Sequence, residues 1–533
     1  MAGPIYSSRM GAGDRELVEG YTDQRSYETG DRVALHLSVT RPGFLGDVVP
    51  GDVGLDVDVR IRRVGAETQA VWDRSGLRVE PHDIPERASA LGVHWPVALE
   101  MMVPDQWTPG WYEVEIAAPD DDGGCRLAHA GFVVRAPTGR ATSQALLVLS
   151  TNTWNAYNDW GGPNLYTGES QVSFARPWAR GYVHRRDAFV HRNANATPVP
   201  DPGTERWTRY ILDQRVSPWS GCAGWPSWEA MFVAWAESNG YPLDYAVNLD
   251  LAERPEVVEG HRLVLSVGHD EYWSWEMRDT VEGHIDRGGN VAFFSGNTAF
   301  WQVRAADHGR TMVCHKLLDD PLADGVPDER RTSIWSDPRI GRPETAMTGV
   351  TFTRGGYARI GQGVPRGAGG YTVWRPDHWL FEGTDLRYGD VLGAEHTVVG
   401  YECDGCALSL RDGLPVPTHE DGCPDGFEIL ATAPAHLWSK GADHDEYPPG
   451  LTPLRDIGEL QETAAILFGD PSPAGTDRIT NGHAVLGTYE RDGGIVFTTG
   501  CTDWTFGLAG GDPAVQLITA NVLDRLALNS ART

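Results

Sequence analysis

Lysine is almost missing from this sequence, and basic residues of every kind are scarce. Of the 533 residues only Lys316 and Lys440 are lysine, and 45 basic side chains are outnumbered by 74 acidic ones, which gives a formal net charge of −29. Nucleic acids and anionic bilayers attract basic protein surface. A chain this acidic is therefore expected to have neither a nucleic acid nor a membrane as its partner.

Long apolar runs are missing as well. No stretch approaches the roughly 18 consecutive apolar residues of a membrane helix, and the amino terminus has neither the charged nor the apolar segment of a secretory signal. The 7 cysteines are odd in number and widely scattered, which is more typical of a reducing cytoplasm than of a disulfide framework. These absences favour a cytoplasmic protein.

Two different residue patterns divide the chain. Residues 1–137 contain short stretches in which polar and apolar residues alternate, such as 32–39 and 55–62, separated by turns rich in Pro, Asp and Gly. Alternation with a period of two predicts half-buried strands. Many short strands with frequent turns are typical of an immunoglobulin-like β-sandwich, which we expect as an accessory domain over residues 1–137.

Continuous apolar runs alternate with helical patterns over residues 138–533. Three runs have the composition of strands buried on both faces: 145–150, 263–267 and 290–295. The spacing of apolar residues predicts a helix over 274–287. Strands that alternate with helices predict an α/β domain with an open, mostly parallel sheet. Gly-rich, strand-like stretches near 320–465 interrupt this order and predict a β insertion.

Residues that follow the buried strands are the candidates for chemistry, because open α/β sheets bind ligands at the carboxyl ends of their strands. The first strand is followed by Thr151-Asn-Thr-Trp-Asn-Ala-Tyr-Asn158, the second by Gly268-His-Asp-Glu-Tyr-Trp273, and the third by Gly296-Asn297. Polar and aromatic clusters at three neighbouring strand ends are more than packing requires. Ordinary polar loops, in which Asn and Gly suit turns, are the alternative.

Covalent catalysis on such a sheet requires Cys or Ser on a tight turn between a strand and a helix. The turn after 263–267 has neither residue, and Ser295 lacks the flanking glycine pattern. Cys222, in Ser220-Gly-Cys-Ala-Gly224, is the best nucleophile candidate, although a structural role is more common for such a cysteine. Covalent catalysis is therefore not the favoured interpretation.

Oxygen and nitrogen donors remain. These candidates are Tyr157, Tyr166, His269, Asp270 and Glu271. Carboxylate and phenolate oxygens together suit a hard, highly charged metal ion rather than zinc, and tyrosine-ligated haem in catalase is a precedent for phenolate bound to ferric iron. The alternative is that the tyrosines are loop residues and that the glutamate stabilises the start of the following helix.

The run Ser150-Thr-Asn-Thr-Trp-Asn-Ala-Tyr-Asn158, the run Gly268-His-Asp-Glu-Tyr-Trp273 and the pair Gly296-Asn297 resemble the catalytic large (beta) subunit of N,N-dimethylformamidase. The resemblance covers roughly residues 140–530. Those enzymes are amide hydrolases with mononuclear iron held by two tyrosines and one glutamate. Their sheet resembles the class I amidotransferase core without its cysteine, and the preceding sandwich is similar to the family's accessory domain.

The resemblance implies roles for individual residues. Tyr157 and Tyr166 would be the phenolate ligands of the iron, and Glu271 would be the carboxylate ligand. Tyr182 is the alternative to Tyr166, because this sequence lacks the histidine that accompanies the second tyrosine in the family. The other active-site residues would be His269, Asn297 and, in the β insertion, Glu402.

The resemblance further implies an iron-dependent amidohydrolase, with Fe³⁺ as cofactor and a small amide or formamide as substrate. A small partner subunit occurs in the family, and a homo-oligomer is a further option. Two other functions are carried as alternatives: a carbohydrate-binding or scaffold protein that keeps the fold without catalysis, and a hydrolase based on Cys222. Four indoles are candidates for the pocket wall, with core packing as the alternative: Trp154, Trp160, Trp273 and Trp275.

Two further clusters are left open by the sequence. The first has the spacing of zinc ligands: Cys403, Cys406, His419 and Cys423. The second is a basic island on an acidic chain, interpreted as a solvated loop or as a site for a carboxylate or a partner: His184, Arg185, Arg186, His191 and Arg192.

Overall fold

The amino-terminal part of the chain is built from nine strands in two sheets. The computed structural model describes residues 16–43, 47–120, 124–186, 209–316, 320–322, 325–358, 368–437 and 459–528. These strands are β1 (Leu17–Thr22), β2 (Ser26–Tyr27), β3 (Arg32–Pro42), β4 (Val48–Pro50), β5 (Leu55–Val64), β6 (Thr68–Val79), β7 (Val97–Met102), β8 (Gly110–Pro119) and β9 (Cys125–Val134). One sheet holds β1, β3, β4 and β7, and the other has the order β2-β9-β8-β5-β6.

Alternating side chains explain how these two sheets pack. In β5 the side chains of Val57, Val59 and Ile61 are buried, and the residues between them are exposed. They share one apolar cluster with Leu35 and Leu37 of β3, which belongs to the other sheet. The two sheets are therefore joined by apolar contact, as the alternation predicts. The likeness to an immunoglobulin domain and the boundary at residue 137 stay predictions.

In the described part of the remaining chain, eleven strands form one large mixed sheet, and six others form a four-stranded and a two-stranded sheet. The strands that follow the first nine are β10 (Ala145–Leu149), β11 (Gln171–Ser173), β12 (Asp244–Val247), β13 (Leu263–His269), β14 (Tyr272–Ser274), β15 (Asn290–Gly296), β16 (Trp301–Ala306), β17 (Thr311–Val313), β18 (Thr351–Tyr357), β19 (Tyr371–Val373), β20 (Val391–Leu392), β21 (Glu402–Gly405), β22 (Leu408–Arg411), β23 (Leu414–Pro417), β24 (Glu428–His436), β25 (Asn481–Arg491) and β26 (Gly494–Thr498). The main path of the large sheet is β12-β10-β13-β15-β26-β25-β24-β18-β21.

The structure describes ten α-helices. They are α1 (Ala88–Leu91), α2 (Thr151–Tyr157), α3 (Glu229–Ser238), α4 (Asn248–Glu253), α5 (Trp275–Asp286), α6 (Thr345–Thr348), α7 (Glu459–Phe468), α8 (Pro473–Thr476), α9 (Trp504–Gly510) and α10 (Pro513–Leu523). Among the helices that the structure describes, none is long and apolar enough to cross a bilayer.

The parallel half of the sheet agrees with the apolar runs. From β12 to β26 the five neighbouring strands are all parallel, and β10, β13 and β15 are buried along their whole length. This burial is expected of parallel strands whose faces are covered. The likeness of this half to the class I amidotransferase core stays a prediction.

Helix α5 matches the helix predicted over 274–287 because its ends are marked in the sequence. The Ser274 hydroxyl accepts a hydrogen bond from the backbone N–H of Met277 at 3.3 Å, and this capping fixes the start of the helix. Gly288, at a φ of 83°, follows its end. Buried Met277, Val281 and Ile285 recur every four residues and form its inner face.

The strands of the segment near 320–465, where the sequence predicts a β insertion, include members of the large sheet itself. Its strands β18, β21 and β24 are antiparallel and extend the large sheet through β25 and β26. The prediction of a mostly parallel sheet is therefore wrong for this half. The physical reason is that β25 pairs with β26 on one side and β24 on the other, so the parallel half continues into antiparallel strands instead of ending at an edge.

The sandwich packs directly on the segment that follows β10. The ring of Trp111 in β8 meets Trp154 of α2 edge-on, with centroids 5.5 Å apart, and stacks on Trp225 at 5.4 Å. The Arg25 guanidinium lies 4.7 Å from the ring centroid of Trp178. These buried contacts make α2 part of the interface between the sandwich and the large sheet.

We expect Trp111→Ala to lower the free energy of unfolding by about 3–5 kcal/mol, because it removes a fully buried indole and leaves a cavity. Thermal denaturation of the full chain measures the loss. The exposed Val53→Ala is the control and should change stability by less than about 0.5 kcal/mol. A Trp111→Ala protein that melts like the wild type would show that this contact does not hold the sandwich in place.

Candidate active site

The carboxyl ends of three neighbouring strands meet at one edge of the large sheet. Helix α2 follows β10 and ends at Tyr157, Glu271 lies two residues after β13, and Asn297 directly follows β15. The backbone N–H of Glu271 donates to the Thr153 hydroxyl of α2 at 2.8 Å, which ties the first two segments together. Glu402, the first residue of β21, joins them from the antiparallel half.

Three oxygen donors form a connected cluster at this edge. The hydroxyl oxygens of Tyr157 and Tyr166 lie 2.7 Å apart, and the Tyr166 hydroxyl donates to Glu271 Oε1 at 2.7 Å. The Tyr272 hydroxyl donates to the Tyr166 oxygen at 2.9 Å, and the Trp301 indole donates to Glu271 Oε1 at 2.8 Å. The structure thus brings together the three residues that the resemblance names as ligands.

Tyr182, the alternative to Tyr166, lies in a different environment. Its ring stacks on Trp178 with centroids 6.3 Å apart. Burial and the charge of Asp159 raise the pKa of its hydroxyl well above the usual value. Tyr166, in contrast, contacts Glu271 directly. Of the two tyrosines, the geometry therefore places Tyr166 in the oxygen cluster.

His269 lies between two carboxylates. Its Nδ1–H donates to the backbone carbonyl of Cys222 at 2.8 Å, while Nε2 lies 2.6 Å from Glu402 Oε2 and 3.3 Å from Glu271 Oε2. Burial opposes protonation, but the charge and hydrogen bond of Glu402 and the charge of Glu271 raise the pKa of His269 to about 10. The ring is therefore an imidazolium at neutral pH.

Asn297 supports this pair from the end of β15. Its side-chain amide donates to Glu402 Oε2 at 3.0 Å, and its backbone N–H donates to Asp404 Oδ1 at 2.9 Å. The backbone of Asn297 is left-handed, with a φ of 50°, which asparagine tolerates better than most residues. Burial alone would raise the pKa of Glu402. The charge and hydrogen bond of His269 and the hydrogen bond from the Asn297 amide have the larger effect and lower that pKa below its usual value.

The oxygen cluster has the electrostatics of a cation site. Burial and the charge of Glu271 raise the pKa of both phenols, Tyr157 and Tyr166, well above the usual value, and burial raises the pKa of Glu271 itself. Glu271 Oε2 accepts no hydrogen bond from the described residues. Crowded acidic oxygens in a buried space ionise together only when a positive charge is added, so the donor set fits a hard cation such as ferric iron.

Lys316 is a site residue that the sequence analysis missed. Its Nζ lies 3.1 Å from the ring centroid of Tyr166 and 5.0 Å from that of Trp301. Within the described ranges Nζ has no hydrogen-bond partner, and burial lowers the pKa of the amine to about 8 against the opposing charge of Glu271. The available signal was composition, because Lys316 is one of two lysines in a chain that otherwise uses arginine.

Asp270 and the four tryptophans expected in the pocket wall make contacts in the protein core, away from the oxygen cluster. The Asp270 carboxylate accepts from the Ser266 hydroxyl at 2.8 Å and from the Asn248 amide at 3.1 Å, and burial raises its pKa to about 6. Three of the expected indoles donate to core acceptors, and the fourth packs against Trp335: Trp154, Trp160, Trp273 and Trp275. The indoles beside the oxygen cluster are instead Trp219 and Trp301.

Of the four residues with zinc-ligand spacing, no three have their ligand atoms within 4.8 Å of one another in the described structure. The thiols of Cys406 and Cys423 are in contact. His419 Nδ1 donates to the Cys423 carbonyl at 2.9 Å, and the backbone of Cys403 forms an antiparallel β-bridge with that of Cys501. Sequence spacing failed here because Cys403 lies in β21, where pairing with the segment around Cys501 fixes its position.

His269 is not positioned to activate the Cys222 thiol. Its Nδ1 is bound to the backbone carbonyl of Cys222 and its Nε2 to Glu402, so the geometry does not support a Cys222 hydrolase.

The basic island is partly built into the fold. Arg185 is buried and donates to the Ser220 carbonyl at 3.1 Å, and His184 Nδ1 lies 3.2 Å from Glu113 Oε2. The interpretation as a solvated loop is therefore wrong for Arg185. Arg186 is exposed. Two members lie outside the described residues: His191 and Arg192.

Comparison with known proteins shows the family. The family model described as N,N-dimethylformamidase beta subunit-like, C-terminal, matches residues 58–516, well over half of the chain. The chain belongs to this family. The N,N-dimethylformamidase beta subunits of Paracoccus aminophilus and of an Alcaligenes species are each 24% identical to it over 414 residues, which cover 71% of this chain and 51% of the relative. This dimethylformamidase-like chain thus spans about half the length of the curated relatives it matches.

Solved structures match only fragments of the dimethylformamidase-like chain. The DNA glycosylase AlkC of Pseudomonas fluorescens is 18% identical over 23% of this chain and 31% of its own, with a TM-score of 0.16. Murine CRIg is 14% identical over 23% of this chain and 97% of its own, with a TM-score of 0.14. Scores this low carry no conclusion about fold or function.

The left-handed backbone at Asn297 leads to a prediction about stability. Asn297→Gly and Asn297→Ala both remove the amide that binds Glu402, but only alanine forces a Cβ into the left-handed conformation. We expect the alanine variant to be the less stable of the two by about 1–2 kcal/mol, measured by thermal denaturation. Equal melting temperatures would contradict the backbone conformation described here.

Proposed function

We propose that this chain is an amide hydrolase that cleaves the C–N bond of a small amide or formamide, with a ferric ion held by Tyr157, Tyr166 and Glu271. The observation that carries the proposal is the buried cluster of these three oxygen donors next to the pair formed by His269 and Glu402. The family supports the hydrolase class, since the relatives are named as dimethylformamidase subunits. The chain covers about half of those relatives, so the substrate rests on the site alone.

The donor set supports iron rather than a softer metal. Two phenolates and one carboxylate are hard oxygen ligands that carry three negative charges, which suit a trivalent ion. When bound, such an ion acts as a Lewis acid toward an amide carbonyl and lowers the pKa of a bound water. The proposal includes a likeness of the parallel half to the class I amidotransferase core and a cytoplasmic location. It also includes association with a small partner subunit or with further copies of this chain.

His269 is the proposed proton donor. As an imidazolium it holds a proton on Nε2, 2.6 Å from Glu402 and 3.3 Å from Glu271. This proton is available to the nitrogen of the leaving amine, and Glu402 stabilises the charged ring before transfer. The hydrogen bond from Nδ1 to the Cys222 carbonyl fixes the ring orientation. Asn297 keeps Glu402 in position and has a second amide N–H for a developing oxyanion.

Lys316 and the surrounding rings complete the site. The ammonium of Lys316 over the Tyr166 ring favours the phenolate form of that side chain. Trp219 stacks on Tyr166 with centroids 5.6 Å apart, and Tyr401 meets the His269 ring edge-on at 5.6 Å. These apolar surfaces exclude water and suit a small neutral amide better than a charged one.

Iron content and colour test the ligand assignment. We expect the wild type to bind one ferric ion per chain and to show a phenolate charge-transfer band, and we expect Tyr157→Phe and Glu271→Ala to lose both iron and colour. Tyr182→Phe removes a buried tyrosine hydroxyl outside the cluster and should keep both. Metal analysis and visible absorption give the readouts. A folded wild type that stays colourless and iron-free after iron loading would refute the assignment.

Activity on a panel of small amides and formamides tests the proton donor. His269→Gln and Glu402→Gln should each lower kcat by about 10²–10⁴-fold, the range for loss of a positioned acid or base, while the iron content is retained. Cys222→Ser should leave kcat within about twofold, because the contact with His269 is made by the backbone. Loss of activity in Cys222→Ser alone would favour the cysteine hydrolase instead.

A further inference from the structure

A second cluster of metal-binding side chains lies where the sandwich meets the rest of the chain. It consists of Glu113 in β8, His129 in β9 and His184, with one ligand atom from each residue within 4.8 Å of the others. In the ranges that the structure describes, this is the one group of three or more His, Cys, Asp and Glu side chains with such spacing. The sheet register pairs Glu115 with His129, and residues two apart on a strand share a face, so Glu113 points to the same side.

Each carboxylate oxygen of Glu113 is directed at a different imidazole. Oε2 lies 3.2 Å from His184 Nδ1, and Oε1 lies 3.7 Å from His129 Nε2. Glu113 is buried. The His129 Nε2 atom is also buried and makes no hydrogen bond to the residues described here. A buried ring nitrogen that makes no hydrogen bond and lies near a carboxylate has the arrangement expected of an empty metal-binding site.

The charges around the cluster are compatible with a divalent cation. Burial lowers the pKa of His129 to about 4, so this ring is neutral at physiological pH, as a metal ligand must be. The hydrogen bond to Glu113 raises the pKa of His184, and metal binding would displace that proton. Arg62, 4.0 Å from Glu113, is already engaged by Glu115 at 2.8 Å.

We propose that Glu113, His129 and His184 bind a divalent transition-metal ion, with Zn²⁺ as the best fit, and that this ion links the sandwich to the α/β part of the chain. Two imidazole nitrogens and one carboxylate, with water in the fourth position, are a common zinc ligand set. This set contains more nitrogen than the phenolate cluster, so the two sites select different metals. The proposal is independent of the proposed amide hydrolysis.

Binding requires one side chain to move. The rings of His129 and His184 are stacked, with centroids 4.5 Å apart and planes at 16°, so their in-plane lone pairs do not converge on one point. The His184 side chain is 41% exposed and the Glu113 side chain is 5% exposed. The His184 ring therefore tilts toward the carboxylate when the ion binds, and its exposure gives the ion a path from solvent.

Zinc titration of the full-length chain tests this site. With the protein first loaded with iron, so that the phenolate cluster is filled, we expect the wild type to take up one additional Zn²⁺ per chain. His129→Gln and His184→Gln should each weaken this binding by at least about tenfold. His94→Gln, an exposed histidine outside the cluster, is the matched control and should bind Zn²⁺ like the wild type.

A stability measurement guards against variants that fold poorly. Zn²⁺ should raise the melting temperature of the wild type, of His94→Gln and of Tyr157→Phe, but not of His129→Gln or His184→Gln, since only the first three keep the cluster. The response of Tyr157→Phe separates this site from the iron site, so either can fail alone. The proposal is overturned if the folded wild type binds no Zn²⁺, or if both cluster variants bind it as tightly as the wild type.

Discussion

Four acidic groups share one buried space in this protein, and that arrangement depends on the cations placed among them. Tyr157, Tyr166, Glu271 and Glu402 lie within a few contacts of one another at the end of the parallel strands. Isolated buried charges are costly, so they occur paired or bound to metal. The His269 imidazolium neutralises the carboxylates, and Lys316 lies over one of the phenols. The large sheet, helix α2 and the sandwich packed against α2 together fix the positions of these side chains.

The sandwich is more than an addition to the α/β part of the chain. The family match begins at residue 58, within β5, and therefore includes most of the sandwich strands. Trp111 of β8 packs against α2, the helix that ends in Tyr157. A rigid sandwich thus restricts how far the first phenol can move. Glu113 lies two residues after Trp111 on β8, so the two side chains are on the same face of that strand.

The part of this structure that sequence could predict is the part encoded by local patterns. The runs at β10, β13 and β15 are mostly apolar because both of their faces are buried, and the two ends of α5 are marked in the sequence by Ser274 and Gly288. No helix was predicted at α2, because its polar residues form contacts with neighbouring segments: the Thr153 hydroxyl, for example, accepts from the backbone N–H of Glu271. The antiparallel half depends on pairing between distant strands, which no local pattern records. Glu402 was identified only through the family resemblance, and Lys316 was not identified at all.

The order of strands in the large sheet has a consequence for biosynthesis. β15 ends at residue 296, yet its neighbour on the far side is β26, which begins at residue 494. Until that strand leaves the ribosome, β15 is an open edge, and the antiparallel strands that include β21 and Glu402 cannot be joined to the parallel half. Contacts so far apart in sequence are slow to form, and unpaired edges promote aggregation. The nascent chain therefore exposes this edge to association until β26 has been synthesised.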